Sequence, residues 1–110
     1  MTTVRQLLDG KSPEVHAVAP DEAVIDAIRL MAEKGIGAVL VMDGPRLVGI
    51  LSERDYARKI VLRDRSSRDT AVAEIMTAQV VTVSPGEKVE HCLQLVTDYR
   101  IRHLPVVEGA

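Results

Sequence analysis

Aromatic residues are almost absent from this 110-residue sequence, which contains two Tyr and neither Phe nor Trp. A core must therefore be built from the aliphatic residues that dominate its 46% hydrophobic fraction. The scarcity of aromatic rings also argues against the stacking platforms that bind single-stranded nucleic acid. The formal net charge of −2 argues against general binding to a phosphate backbone. We therefore expect no nucleic-acid partner.

Disulfides, metal-ligand spacings and long apolar runs are missing as well. Cys92 is the single cysteine, so an internal disulfide is excluded, and no Cys/His pair has the spacing of a metal site. We interpret Cys92 as a small core side chain, with a reactive thiol as the alternative. No apolar run approaches the ~18 residues needed to cross a bilayer, and the N-terminus lacks a signal-peptide core. The sequence predicts a cytoplasmic protein with no membrane partner and no metal.

An internal repeat organises the chain. Residues 18–44, moved forward by 65 positions (83 − 18), align without a gap with residues 83–109. The matches are core-type and turn-type residues, which indicates one supersecondary unit used twice with pseudo-two-fold symmetry. We place the first repeat at residues 1–65 and the second at residues 66–110. The identical pairs include Val18 and Val83, Pro20 and Pro85, Val24 and Val89, Ile36 and Ile101, and Val41 and Val106.

The hydrophobic pattern predicts an α/β (α+β) fold in which the first repeat has the order β-α-β-β-α. An apolar stripe from Val24 to Met31 predicts an amphipathic helix that ends at Gly35. Apolar runs at 38–42 and 47–51 predict two strands, and Ser52 opens a helix that reaches about residue 63. Polar residues 64–70 are interpreted as the linker between the repeats.

The second repeat is predicted to copy this order but to stop after its second strand. It should contain a short helix at 72–76, a strand at 80–83 and a helix with a capping box at Ser84–Glu87. That helix should bury the stripe Val89, Cys92, Leu93 and Val96. No counterpart of residues 47–62 follows, which would leave a strand edge uncovered. We therefore expect the second repeat to be incomplete at its C-terminus and the chain to be a shortened form of a longer one.

Ser52 and Asp55 stand where a predicted strand runs into a helix. Backbone N–H groups collect at such a junction and favour oxygen-rich ligands. The Ser52 hydroxyl can donate to a phosphate or sugar oxygen, and the Asp55 carboxylate can accept both hydroxyls of a ribose cis-diol. The alternative is that Ser52 is only a helix N-cap with Asp55 as its supporting acid. Arg58 and Lys59, further along this helix, are interpreted as a solvated face, with phosphate contacts as the alternative.

A second polar group enters the last predicted strand, in the segment Arg100–Val107. Arg102 and His103 can both donate to a phosphate, and Leu104 with Pro105 offers a flat apolar wall. The equivalent residues of the first repeat keep the core Ile and lack these polar side chains. A solvated strand edge is the alternative interpretation.

Together, the repeat, the motif Gly49-Ile50-Leu51-Ser52-x-x-Asp55 and the run from Ile101 to Val107 resemble a tandem pair of CBS domains, also called a Bateman module. The resemblance covers essentially the whole chain. It implies a regulatory module, usually paired as a homodimer, that binds an adenosine-containing ligand such as AMP, ATP or NAD in the cleft between repeats. Asp55 would accept the ribose diol and Ser52 would contact sugar or phosphate. The adenine would meet backbone groups of Val81 and Thr82 and apolar walls from Ile101, Leu104 and Pro105, while Arg102 and His103 would face the phosphates.

No catalysis is expected, because the sequence shows no nucleophile and base pair and no phosphate-cradling glycine loop. The adenine nucleotide is expected as a regulatory ligand, with no cofactor required. The alternative function is a constitutive dimerisation or interaction domain that binds no nucleotide.

Overall fold

The computed structural model describes residues 2–9 and 15–108. These residues pack as two compact units. Residues 15–80 form the central unit, and residues 2–9 together with 81–108 form the terminal unit. The described elements are α1 (Val4–Leu8), β1 (Ala17–Val18), α2 (Val24–Lys34), β2 (Ala38–Asp43), β3 (Arg46–Ser52), α3 (Glu53–Tyr56), a π-helical segment (Ala57–Val61), α4 (Val72–Ile75) and α5 (Val89–Tyr99).

The central unit holds a three-stranded sheet with the order β1-β2-β3. Strand β1 pairs in parallel with β2, and β2 pairs antiparallel with β3 around a turn in which Gly44 has a φ of 59°. A parallel pair needs a crossover connection, which α2 supplies between β1 and β2. The mixed α and β class and the β-α-β-β-α order predicted for the first repeat are confirmed.

Aliphatic side chains fill the core of the central unit, as the lack of aromatic residues requires. One stripe of α2 is buried and meets the inward residues of β2 and β3, and the helix ends at Gly35, whose φ of 63° is left-handed. Side chains from the π-helical segment and α4 complete the cluster. The buried members include Val24, Ala27, Met31, Val39, Val41, Leu51, Ile60, Val72 and Ile75.

The predicted linker packs against the first repeat. Helix α2 has no side-chain N-cap, and its first amides instead donate to linker carbonyls: Val24 N to Thr70 O at 2.9 Å and Ile25 N to Ser67 O at 2.9 Å. The amide of Val72 at the start of α4 donates to the Glu22 carbonyl at 2.8 Å. The linker therefore supplies the cap that α2 lacks.

Helix α1 is placed in the terminal unit as α4 is in the central one. The amide of Val4 at the start of α1 donates to the Glu87 carbonyl at 2.9 Å, as the amide of Val72 donates to the Glu22 carbonyl. Each compact unit therefore contains one short helix that belongs, in sequence, to the other repeat. The division of the chain into repeats at residues 1–65 and 66–110 describes its sequence symmetry and stays a prediction.

The terminal unit repeats the register of the central one. Val83 bridges Val106 in parallel, and Val18 pairs in parallel with Val41. Adding 65 to the second pair gives the first (18 + 65 = 83, 41 + 65 = 106). Helices α2 and α5 both have 11 residues and are offset by the same 65 positions.

Three predictions for the second repeat are wrong in detail. The strands expected over residues 80–83 and within residues 100–107 are both reduced to the single bridge between Val83 and Val106. Helix α5 begins at Val89 after Lys88, and not at a Ser84 capping box, because the Pro85 and Glu87 carbonyls accept amides from α1.

The third error concerns burial, since none of the α5 residues is buried and Leu93 is 61% exposed. Cys92 is half-buried, whereas its counterpart Ala27 is completely buried. Helix α2 packs on a three-stranded sheet, but the terminal unit contains only the isolated bridges of Thr3 with Lys88 and of Val83 with Val106 among its described residues, so the apolar stripe of α5 is only partly covered.

Candidate functional site

Ser52 and Asp55 form a reciprocal capping box at the start of α3. The Ser52 amide donates to Asp55 Oδ2 at 3.1 Å, and the Ser52 hydroxyl donates to the same oxygen at 3.0 Å. The Asp55 amide in turn donates to Ser52 Oγ at 3.1 Å. The N-cap role that the sequence left as an alternative is therefore confirmed. The cap uses mainly Oδ2 of Asp55 and leaves Oδ1 for other partners.

The second oxygen of Asp55 meets side chains from two other segments. Lys59 Nζ lies 3.2 Å from Oδ1 and also donates to the Ile75 carbonyl at 2.9 Å. The Thr77 hydroxyl lies 3.3 Å from Oδ1 and 3.4 Å from Oδ2. The prediction that Lys59 belongs to a solvated face is wrong for its amine, because the i,i+4 spacing places the amine against Asp55.

Burial makes this carboxylate network unusual for the chain. Asp55 is 8% exposed, and a buried carboxylate is costly unless several donors surround it. Here four donor atoms do so: the amide and hydroxyl of Ser52, the hydroxyl of Thr77 and the amine of Lys59. Thr77 is itself exposed, so the network reaches the surface there.

Gly49 allows the Thr77 segment to approach β3 closely. The Ile50 amide donates to the Thr77 carbonyl at 3.0 Å and the Thr77 amide returns a bond to the Ile50 carbonyl at 2.9 Å. A Cβ atom on Gly49 would lie 2.5 Å from the sulfur of Met76 and 3.1 Å from the Thr77 carbonyl oxygen. The missing side chain therefore makes room for the segment that delivers Thr77 to Asp55.

Sequence reasoning did not find Thr77. Thr77 lies 22 residues after Asp55, and an isolated backbone bridge to Ile50 brings it to the carboxylate. No local sequence pattern predicts such a bridge. In the repeat alignment, no motif marks this position either.

The remaining predicted site residues belong to the terminal unit. The Val83 amide donates to the Pro105 carbonyl at 3.0 Å, and the Val107 amide donates to the Val83 carbonyl at 2.8 Å. This pairing sets the segment that contains Val81 and Thr82 beside the segment that contains Leu104 and Pro105. Exposed side chains are those of Thr82, Arg102 and His103, and half-buried ones are those of Val81, Ile101, Leu104 and Pro105. The structure thus assembles the predicted residues as two groups, one in each unit.

Metal and thiol chemistry find little support in the described part of the chain. Within residues 2–9 and 15–108, no three His, Cys, Asp or Glu side chains are arranged to hold a metal ion. Desolvation raises the pKa of the Cys92 thiol, and the Glu87 carboxylate raises it further, which disfavours the reactive thiolate. None of the helices in these residues is long and apolar enough to cross a membrane.

Comparisons with known proteins agree with the fold and the repeat. The CBS domain pattern matches twice, over residues 4–62 and 72–110. A mitochondrial CBS domain-containing protein of Arabidopsis thaliana, CBSX3, is 44% identical over 116 residues, which cover 97% of this chain and 56% of that protein. This chain therefore spans little more than half the length of that relative. Because that relative is named as mitochondrial, the cytoplasmic location expected for this chain stays a prediction.

Two solved structures extend the comparison. A protein with CBS domains from Burkholderia ambifaria MC40-6 is 52% identical and has a TM-score of 0.95, over 98% of this chain and 82% of that one. The CBS domain pair of protein MJ0100, solved in complex with 5-methylthioadenosine and S-adenosyl-L-methionine, is 25% identical with a TM-score of 0.83. It matches over 98% of this chain and 82% of that chain.

Proposed function

This chain belongs to the CBS-domain family as a pair of CBS domains, a regulatory module, and from that premise we propose that it binds an adenosine-containing ligand of the AMP, ATP or NAD type. The neighbour solved with 5-methylthioadenosine and S-adenosyl-L-methionine supports this ligand class. The observation on which the proposal depends is that hydrogen-bond donors surround the nearly buried Asp55 carboxylate.

Asp55 supplies what a ribose diol requires. A carboxylate accepts hydrogen bonds at both oxygens, and two vicinal hydroxyls can satisfy both at once. The Thr77 hydroxyl now spans the two oxygens with contacts of 3.3 and 3.4 Å, which are long for O–H···O bonds. Ribose hydroxyls can replace these long contacts with shorter ones, since the exposed Thr77 side chain can turn to water. Ser52 remains the cap of α3 and a neighbour of the sugar.

The residues proposed to contact adenine and the phosphates are assigned from the family resemblance and from the solvent exposure of their side chains. Backbone groups of Val81 and Thr82 and the apolar side chains of Ile101, Leu104 and Pro105 are proposed to contact adenine. Arg102 and His103 are proposed to face the phosphates, and both side chains are exposed to solvent.

Calorimetric titration of AMP and 2′-deoxy-AMP tests the ribose assignment. Asp55→Asn keeps the size of the side chain but replaces one acceptor oxygen by a donor, so AMP affinity should fall about tenfold or more. Wild type should bind 2′-deoxy-AMP more weakly than AMP. The matched control is Asp26→Asn, because Asp26 is an exposed aspartate on α2 whose Oδ1 lies 3.7 Å from the Arg29 guanidinium. Equal AMP affinity in wild type and Asp55→Asn would overturn the ribose assignment.

The alternative function remains an interaction domain that binds no nucleotide. A thermal-shift panel of AMP, ADP, ATP, NAD and S-adenosylmethionine separates the two functions. A ligand present at 100 times its dissociation constant adds about 2.7 kcal/mol of stability. The absence of a shift with every ligand of the panel would favour the interaction domain.

A second copy of the chain is the proposed protein partner. Leu62 is 78% exposed at the end of the π-helical segment, and Leu93 is 61% exposed on α5. Apolar helix faces that a small domain leaves uncovered are typical of interfaces. We propose a homodimer that packs these helical faces.

A further inference from the structure

Lys59 holds an unusual place in the Asp55 network. Its amine bridges Asp55 Oδ1 at 3.2 Å and the Ile75 carbonyl at 2.9 Å. The Lys59 side chain is 38% exposed, whereas that of Asp55 is 11% exposed. The pair therefore joins a nearly buried anion to a cation whose side chain is partly exposed.

The donors around Asp55 differ in how firmly the fold holds them. The amide and hydroxyl of Ser52 belong to the cap of α3 and cannot leave without uncapping the helix. Lys59 reaches Asp55 through four flexible methylenes, and its amine can be solvated when it moves. A carboxylate has about four acceptor sites, and four donor atoms already surround this one. Two ribose hydroxyls can bind only if donors leave, and besides Thr77 the donor least held by the fold is Lys59.

We propose, resting on the function proposed above, that Lys59 exchanges Asp55 for a phosphate of the ligand and so makes the site select nucleoside phosphates over nucleosides. The ribose hydroxyls replace the lysine amine as donors to Asp55, so the exchange leaves no unpaired buried charge. A phosphate offers the compact lysine charge a stronger partner than the carboxylate it leaves. A nucleoside has no phosphate, so it must displace Lys59 without compensation.

The test compares AMP with adenosine on wild type, Lys59→Met and a control. Lys59→Met should lower AMP affinity about 5-fold to 10-fold, because a charge-assisted contact is lost. It should raise adenosine affinity about 2-fold, because the competing cation is gone. Arg58→Met, which removes an exposed charge from the same π-helical segment, should leave the AMP-to-adenosine ratio near its wild-type value.

Lys59→Arg should retain most of the preference for AMP, since it keeps a cation at this position. If Lys59→Met does not fold, Lys59→Gln takes its place, because its amide can still donate to the Ile75 carbonyl. An unchanged AMP-to-adenosine ratio in a folded neutral variant, with binding still lost in Asp55→Asn, would refute the exchange and leave the proposed function intact. Failure of wild type to bind either compound would refute both.

Discussion

Replacing Gly49 by Ala tests whether the close approach of the Thr77 segment builds the site. Gly49 is buried in β3, and an added Cβ would lie 2.5 Å from the Met76 sulfur and 3.0 Å from its Cγ. It would also lie 3.1 Å from the Thr77 carbonyl oxygen. Ordinary nonbonded contacts between such atoms lie near 3.5–4.0 Å, so either Met76 or the backbone at Thr77 must move.

The cost follows from which atoms can yield. Methionine is flexible, so the overlap with its sulfur can be relieved by a change of rotamer within a packed core. The Thr77 carbonyl is tied to the Ile50 amide at 3.0 Å and has to shift by a few tenths of an ångström with its strand partner. Overpacking of this kind costs about 1–3 kcal/mol. A shift of Thr77 should also weaken AMP binding, because its hydroxyl lies in the Asp55 network.

Urea denaturation of four variants, Gly49→Ala, Met76→Ala, Gly86→Ala and the double variant Gly49→Ala/Met76→Ala, measures these effects. Gly49→Ala should lower the urea midpoint with an unchanged slope, which is the signature of lost stability alone. Gly86→Ala is the matched control: its added Cβ would meet no atom within 4 Å and its φ is not left-handed, so stability should be unchanged or slightly higher. Gly49→Ala/Met76→Ala should be less destabilised than the sum of the single changes, because truncating Met76 removes the larger overlap. Additive effects would refute the steric explanation.

Two further predictions concern assembly and titration. Sedimentation at micromolar concentration should show a dimer that Leu62→Asp weakens at least tenfold, and a single species near the 12.0 kDa monomer mass for wild type would rule the dimer out. The hydrogen bond from the Ala71 amide and, second, the bond from the Arg65 guanidinium lower the pKa of the Glu74 carboxyl. The contribution of this carboxylate to folding stability is therefore present above the ordinary pKa of 4.5 and is lost as pH falls through the lower pKa of the folded state. Arg65→Met should move this pKa only part of the way back in an NMR titration, and a complete return would contradict the leading role of the amide.

Hydrophobic periodicity predicted the central unit well because it is a local signal. The stripe of α2, its end at Gly35 and the two apolar strands follow from spacing and glycine alone. The 65-residue offset also relates the observed pairing of Val83 with Val106 to that of Val18 with Val41.

The errors arose where distant segments decide local structure. Ser84–Glu87 has the sequence of a capping box, but its carbonyls pair with α1, which lies about 80 residues earlier in the chain. Helix α5 has an apolar stripe like that of α2, yet burial depends on the sheet beneath it and not on the stripe. Thr77 was missed as a partner of Asp55 because its contact depends on the bridge to Ile50, whereas Lys59 stands at the i,i+4 spacing and had a local signal.

Asp55 shows why the cap and the ligand interpretations are compatible. Oδ2 accepts both donors of Ser52 and so holds the start of α3. Oδ1 accepts Lys59, and the long contacts of Thr77 reach both oxygens. One oxygen therefore serves mainly the fold and the other is held by the donors that can leave. Because alanine removes both oxygens, loss of binding in Asp55→Ala would mix unfolding with lost recognition. Asparagine can keep one carbonyl oxygen for Ser52, so its effect on affinity, set beside its urea midpoint, separates the two roles.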